Sequence, residues 1–140
     1  MLEKEISQSL VKKAMEARGF AYAPYSGFSV GAALLCKDGE IYTGCNVENA
    51  AFTPGNCAER TAFFKAVSEG KRDFTAIAIV GGSQGKKPKE FCAPCGVCRQ
   101  VMREFCKDDF YVILAKEEGM TKEFCLKELL PESFGPNNIG

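Results

Sequence analysis

Phe28-Ser29-Val30-Gly31-Ala32-Ala33-Leu34-Leu35-Cys36-Lys37-Asp38-Gly39-Glu40-Ile41-Tyr42-Thr43-Gly44-Cys45 holds two apolar, β-compatible runs on either side of Lys37-Asp38-Gly39. Asp-Gly between such runs is a strong signal for a two-residue turn, so residues 28–36 and 40–45 are expected to pair as a hairpin. Upstream, Ile6, Leu10, Ala14 and Ala17 recur at helical spacing behind Glu5 and Ser7, and Gly19 is placed to end that helix in the left-handed conformation. Downstream, Ala58, Ala62, Phe63, Ala66 and Val67 fall three or four apart between Cys57 and Glu69, with Gly70 as the stop.

Phe74 to Gly81 then reads as a buried strand, Gly81 to Lys89 as a flexible polar loop, and the stretch after Pro94 as a helix with Val97, Val101 and Phe105 on one face. Tyr111 to Ala115 is the next strand, and within Thr121 to Leu130, a segment open to either reading, Phe124-Cys125-Leu126 is expected as a fifth strand and Lys127 to Leu130 as a single helical turn before Pro131. Helix, hairpin, helix, strand, helix, strand is the order of an α/β fold. The expectation is a three-layer α/β/α sandwich around a mixed five-stranded sheet, with residues 1–140 as one domain. There is no internal repeat, linker or low-complexity stretch.

At 140 residues and 46% hydrophobic composition, a chain of this size buries roughly 68–70% of its unfolded surface and needs no covalent staples. Lys plus Arg and Asp plus Glu both number 18, and no block of like charge offers a footprint for polyanions, which argues against nucleic acid or an anionic membrane as partner. No apolar run approaches the roughly 18 residues of a membrane span, and Met1-Leu2-Glu3-Lys4-Glu5 lacks the order of a secretory signal. The expected location is the cytoplasm, where eight cysteines would be reduced thiols, metal ligands or packing residues.

Histidine is absent, so a metal site must be built from thiolates or carboxylates. Pro94-Cys95-Gly96-Val97-Cys98 puts two thiols one turn apart at a helix start, where they face one side and the helix dipole favours thiolate. Such a pair alone fits a redox dithiol, a buried pair or a metal site. Asn56-Cys57-Ala58-Glu59-Arg60, at the head of the other helix, offers a third thiolate and a carboxylate two positions later. Three protein ligands leave a tetrahedral zinc with an open position, a Lewis acid that delivers hydroxide near neutral pH, and Glu59 stands where it could handle the protons.

Three thiolates leave such a site at net minus one, which Arg60 could offset by donating to sulfur. Cys92 extends the downstream pair to C-x-x-C-x-x-C, so a closed four-thiolate structural site is a chemical alternative, set against by Pro94, which separates Cys92 from the helix. Cys36, Cys45, Cys106 and Cys125 lack ligand spacing and read as packing residues.

Cys57-Ala58-Glu59 with Pro94-Cys95-x-x-Cys98 matches the zinc nucleobase deaminase pattern in its cysteine-only variant. Together with Tyr25-Ser26-Gly27-Phe28-Ser29-Val30-Gly31-Ala32-Ala33, Gly44-Cys45-Asn46-Val47-Glu48-Asn49-Ala50-Ala51 and Leu129-Leu130-Pro131 with Phe134, the chain resembles the small homotetrameric cytidine deaminases from about Ser7 to Phe134. That resemblance implies hydrolytic deamination of cytidine and deoxycytidine to uridine and deoxyuridine in pyrimidine salvage. One zinc per subunit would be held by Cys57, Cys95 and Cys98, with Glu59 as proton shuttle.

The resemblance further implies Asn46 and Glu48 on the ribose 3′-hydroxyl, Phe28 and Ala58 in the substrate pocket, and Phe134 reaching the base in a neighbouring subunit's site of a homotetramer. Taken alone, Asn46 and Glu48 could equally cap a strand end, and both phenylalanines could be core. Phe52 stands where related chains often carry tyrosine, which would remove a hydroxyl near the substrate. A deaminase of cytosine-nucleoside antibiotics of the blasticidin type, a non-catalytic zinc-stabilised module and a redox dithiol protein are the rival functions. Asn46, Glu48 and Glu59 argue against the first two, and masking of the thiols by metal would separate the third.

Overall fold

A computed structural model describes residues 2–140. Five strands form one sheet in the order β2-β1-β3-β4-β5, in which β1 (Phe28–Cys36), β2 (Ile41–Cys45), β3 (Phe74–Ser83), β4 (Tyr111–Ala115) and β5 (Thr121–Cys125) are numbered along the chain. β3 and β4 run parallel and the other neighbours antiparallel, so the sheet is mixed.

Alternation along the strands sends residues to two cores. On one face Leu10 and Ala14 of α1 (Lys4–Arg18) pack on Ala33, Ala76, Ala78, Val80 and Ile113. On the other, Ala58, Ala62 and Phe63 of α2 (Ala58–Ser68) and Met102 of α3 (Gly96–Phe105) cover Ala32, Leu34, Ile77, Ile79 and Val112. This is the expected three-layer α/β/α arrangement. After β5, α4 (Leu126–Leu129) and the short α5 (Pro136–Ile139) close the description.

Small residues let the layers touch. A Cβ at Gly31 would lie 1.9 Å from the Ala14 carbonyl, and one at Gly44 would lie 2.5 Å from the Ala58 carbonyl and 2.6 Å from the Ala62 nitrogen. Both helices therefore rest against glycine backbone at these points. Gly44 in β2 fixes the height of the N-terminal end of α2 over the sheet.

Four local expectations are corrected. The β1–β2 connection is a three-residue loop, not a two-residue turn: Cys36 N–H donates to Glu40 O at 2.8 Å, Gly39 N–H donates to Cys36 O at 3.0 Å, and Gly39 has φ +97°. A tight turn followed by a left-handed glycine is the three-residue hairpin geometry. Gly19 ends α1 with φ −63° and is not left-handed, because its N–H donates to the Glu16 carbonyl and the next N–H, of Phe20, to the Ala17 carbonyl, continuing the turn. β3 does not end at Gly81 but runs on through Gly82 and Ser83, which were expected in a loop, and Cys92, Phe28 and Pro88 press on the places where side chains of the two glycines would be. Val97 is exposed, and α3 turns Cys98 and Met102 inward in its place.

Candidate active site

Cys57 is the N-cap residue of α2 and Cys95 the N-cap residue of α3, both in extended backbone. The two helix starts meet at one end of the sheet. Cys57 Sγ lies 3.7 Å from Cys95 Sγ, Cys95 Sγ lies 3.4 Å from Cys98 Sγ, and all three fall within 4.8 Å of one another. Cys98 N–H donates to Cys95 Sγ at 3.5 Å, the helix capping its own ligand residue. Among the described residues Cys92 is outside this cluster. Burial pushes its thiol up to about 11, and its sulfur packs toward Gly81.

The donor set suits zinc. Three sulfurs sit at mutual separations that one tetrahedral ion can span, and they point out from two positive helix ends. A hydrogen bond from Cys98, aided by Arg60 and Cys95 and opposed by burial, draws the Cys57 thiol well below its ordinary value, which favours its thiolate. Cys98, 1% exposed, is driven the other way by its hydrogen bond to Cys57, burial and the Glu59 charge. A divalent cation held by these sulfurs would take the place of that proton.

Arg60 Nη2 donates to Cys57 Sγ at 3.4 Å, as a group drawing charge off a ligand sulfur should. Its Nε is the one buried side-chain nitrogen or oxygen without a hydrogen-bond partner among the described residues.

Glu59 lies in the first turn of α2 and is 4% exposed, one of only two buried polar residues, with Ser29, among the described residues. Burial is the main cause that raises its carboxyl to about 7, with its own backbone N–H opposing, the Cys57 charge adding to the rise and Arg60 opposing. A carboxyl poised near neutrality can accept a proton and return it.

A cavity of about 390 Å³ opens beside Cys57 and Arg60, lined also by Asn46, Glu48, Ser26 and Phe52. Asn46 uses its amide on the strand: Nδ2 donates to Phe28 O and Oδ1 accepts from Val30 N–H, each at 2.8 Å. Glu48 Oε1 accepts from Tyr25 and Ser26 N–H at 3.0 and 3.1 Å.

Phe28 is 42% exposed and lines an adjoining groove with Gly81 and Cys92. Ala58 is fully buried beneath the site. Phe134 is 60% exposed and is not among the residues lining the Cys57 cavity, and its carbonyl accepts from Gln100 Nε2 at 2.8 Å. Cys57, Cys95, Cys98, Glu59, Arg60, Asn46 and Glu48 are thus brought to one place, Phe28 to its margin, and Phe134 elsewhere.

One contact escaped the sequence reading. Ser26 binds Glu48, which no spacing rule reveals. Phe52 holds φ +61° and is 78% exposed on the cavity rim, a backbone state that bulky residues rarely adopt. Its position had been marked only by comparison with tyrosine.

Residues 4–114 match the family described as the cytidine and deoxycytidylate deaminase zinc-binding region. The chain is 52% identical over 127 residues to a cytidine deaminase of Halalkalibacterium halodurans, covering 91% of this chain and 92% of the relative. It is 48% identical over 132 residues to a cytidine deaminase of Sporosarcina psychrophila, covering 94% and 93%. The crystal structure of cytidine deaminase from Burkholderia pseudomallei superposes with a TM-score of 0.83 at 46% identity, over 91% of this chain and 98% of that one. Fold and thiol cluster define a zinc-site deaminase, and the chain belongs to the cytidine and deoxycytidylate deaminase family.

Proposed function

We propose that the chain is a zinc-dependent cytidine deaminase, a hydrolase that converts cytidine and deoxycytidine to uridine and deoxyuridine with release of ammonia in pyrimidine salvage. The observation that carries this is the buried Glu59 in the first turn of the helix that supplies Cys57 to a three-thiol cluster. Cys57, Cys95 and Cys98 hold the zinc, which when bound supplies a Lewis acid that acidifies water at the reacting carbon.

Glu59 takes one proton from that water and delivers it to N3 as the water oxygen bonds to C4, then takes the second proton from that oxygen and gives it to the amino group, so that the C4–N bond breaks, ammonia leaves and the oxygen stays as the C4 carbonyl. Because Glu59 is buried, these transfers run between fixed partners. Arg60 holds Cys57 as a thiolate ligand. Phe28 flanks the ring as an apolar wall and Ala58 forms the floor beside it, while Asn46 and Glu48 receive the ribose 3′-hydroxyl.

Purified protein given cytidine, deoxycytidine, cytosine and cytidine monophosphate should deaminate the two nucleosides, with cytosine slower by at least roughly a hundredfold for want of sugar contacts. The ultraviolet change from cytosine to uracil ring measures this. Equal turnover of free cytosine would remove the sugar-binding role of Asn46 and Glu48.

The working form is a homotetramer in which a neighbour's Phe134 completes each site. Its exposure away from its own cavity, and the exposed Tyr22, Tyr25, Val47 and Phe52, support this arrangement. Light scattering should give four chains per particle. A monomer with full activity would exclude it.

Among the described residues no helix is long and apolar enough to cross a membrane. All eight cysteines are free, which suits work in the reducing cytoplasm.

A further inference from the structure

Ser26 precedes Gly27, whose φ of +67° turns the chain into β1, and its side chain makes two hydrogen bonds, one the local serine-turn bond to Phe28 and the other a long-range bond to Glu48 that no local rule requires. The hydroxyl donates to Glu48 Oε2 and accepts from Phe28 N–H at 3.0 Å. The other oxygen of Glu48, Oε1, is fixed by the backbone N–H groups of Tyr25 and Ser26. Phe28 is held from its far side by Asn46, whose Nδ2 donates to the Phe28 carbonyl at 2.8 Å. One hydroxyl therefore ties the cavity carboxylate to the backbone of the residue at the margin of the site.

We propose that Ser26 is a positioning residue that sets the sugar-binding carboxylate of Glu48 in register with the base-flanking Phe28. This rests on Glu48 and Phe28 having the substrate contacts given above. A carboxylate accepts about four hydrogen bonds. Oε1 has both of its positions filled by backbone donors, and Oε2 has one filled by Ser26, so Oε2 retains one acceptor position for a sugar hydroxyl. Without the serine hydroxyl the carboxylate stays anchored through Oε1 but can pivot about it, and the acceptor that faces the sugar loses its direction. Donation from Ser26 is also the largest of the influences that keep the Glu48 carboxyl below its ordinary value, so the acceptor is ionised when substrate arrives. Phe28 N–H simultaneously loses its acceptor, a smaller effect because Asn46 still holds the carbonyl of the same residue.

The test compares 2′-deoxycytidine with 2′,3′-dideoxycytidine, which differs from it only by lacking the 3′-hydroxyl that Glu48 would receive, using zinc-loaded wild type, Ser26→Ala, Ser26→Thr and Glu48→Gln. In wild type kcat/KM should favour deoxycytidine. In Ser26→Ala that preference should fall about tenfold, mainly through KM for deoxycytidine, while dideoxycytidine loses about twofold, the share due to Phe28. Ser26→Thr, which keeps the hydroxyl, should restore the preference.

Ser26 is exposed, and equal zinc content per chain checks that the alanine variant is folded. Should that variant not fold, Ser26→Cys, near in size but a weak donor, should show the same fall. A preference lost in Glu48→Gln but kept in Ser26→Ala or Ser26→Cys would overturn the positioning role and leave the Glu48 contact standing. A preference unchanged in Glu48→Gln would remove the sugar contact itself, and the role of Ser26 with it.

Discussion

Glu59→Gln should retain one zinc per chain and deaminate cytidine roughly 10³- to 10⁴-fold more slowly than wild type, the scale of a lost general acid and base. The amide has the volume of the carboxylate, so a buried residue in the first turn of α2 is replaced without a cavity. What disappears is a proton carrier. Burial lifts the affinity of the Glu59 carboxylate for a proton, which suits a group that takes a proton from water and passes one to the base within a single turnover. An amide does neither. Zinc content by atomic absorption together with turnover by ultraviolet absorbance separates loss of chemistry from loss of metal. Turnover within a few-fold of wild type would sink the assignment of Glu59.

Cys98→Ala should lose stoichiometric zinc and melt at least roughly 5 °C lower, at the temperature where chelator-stripped wild type melts. Cys98 is 1% exposed, receives a hydrogen bond from Cys95 at 3.4 Å and packs in the inward stripe of α3 with Met102. Its removal leaves two sulfurs on separate helix ends, too few to hold zinc tightly against a chelator. Because wild-type Cys98 holds its proton more firmly than an ordinary thiol, zinc must expel it, and affinity of the stripped wild type should weaken as pH falls. A Cys98→Ala protein that still carries one zinc per chain would show that another thiol, Cys92 first among them, serves as ligand. Melting well below stripped wild type would mean that Cys98 stabilises the fold apart from the metal.

The metal cluster was legible in the sequence because its geometry is local. Cys95 and Cys98 are one helical turn apart, Cys57 opens another helix, and the proline that separates Cys92 from α3 is printed in the chain. The strands Phe28–Cys36 and Tyr111–Ala115 were read to the residue, since long apolar runs leave little choice of ends.

Gly81-Gly82 misled because a pair of glycines has two meanings, a turn or a place where neighbours leave no room for a Cβ, and only the position of Cys92, Phe28 and Pro88 decides between them. Ser26 was invisible for a similar reason. A serine in a turn is commonplace, and its link to Glu48 spans 22 residues that periodicity does not connect. Gly19 shows the limit of helix-end rules, since a glycine after a helix permits the left-handed conformation but does not impose it.

The close seating of α2 on Gly44 has a practical side for anyone diversifying this enzyme to accept altered nucleosides. The loop from residue 49 to 54 is exposed on the cavity rim, and libraries there would sample substrate shape while leaving the reacting groups in place. Gly44 does not line the cavity beside Cys57, yet any side chain there would collide with the backbone of Ala58, between Cys57 and Glu59, the residues proposed to hold zinc and to move protons. Variants at that position should therefore fail on every substrate alike, and a screen would score a spacer as though it were part of the chemistry.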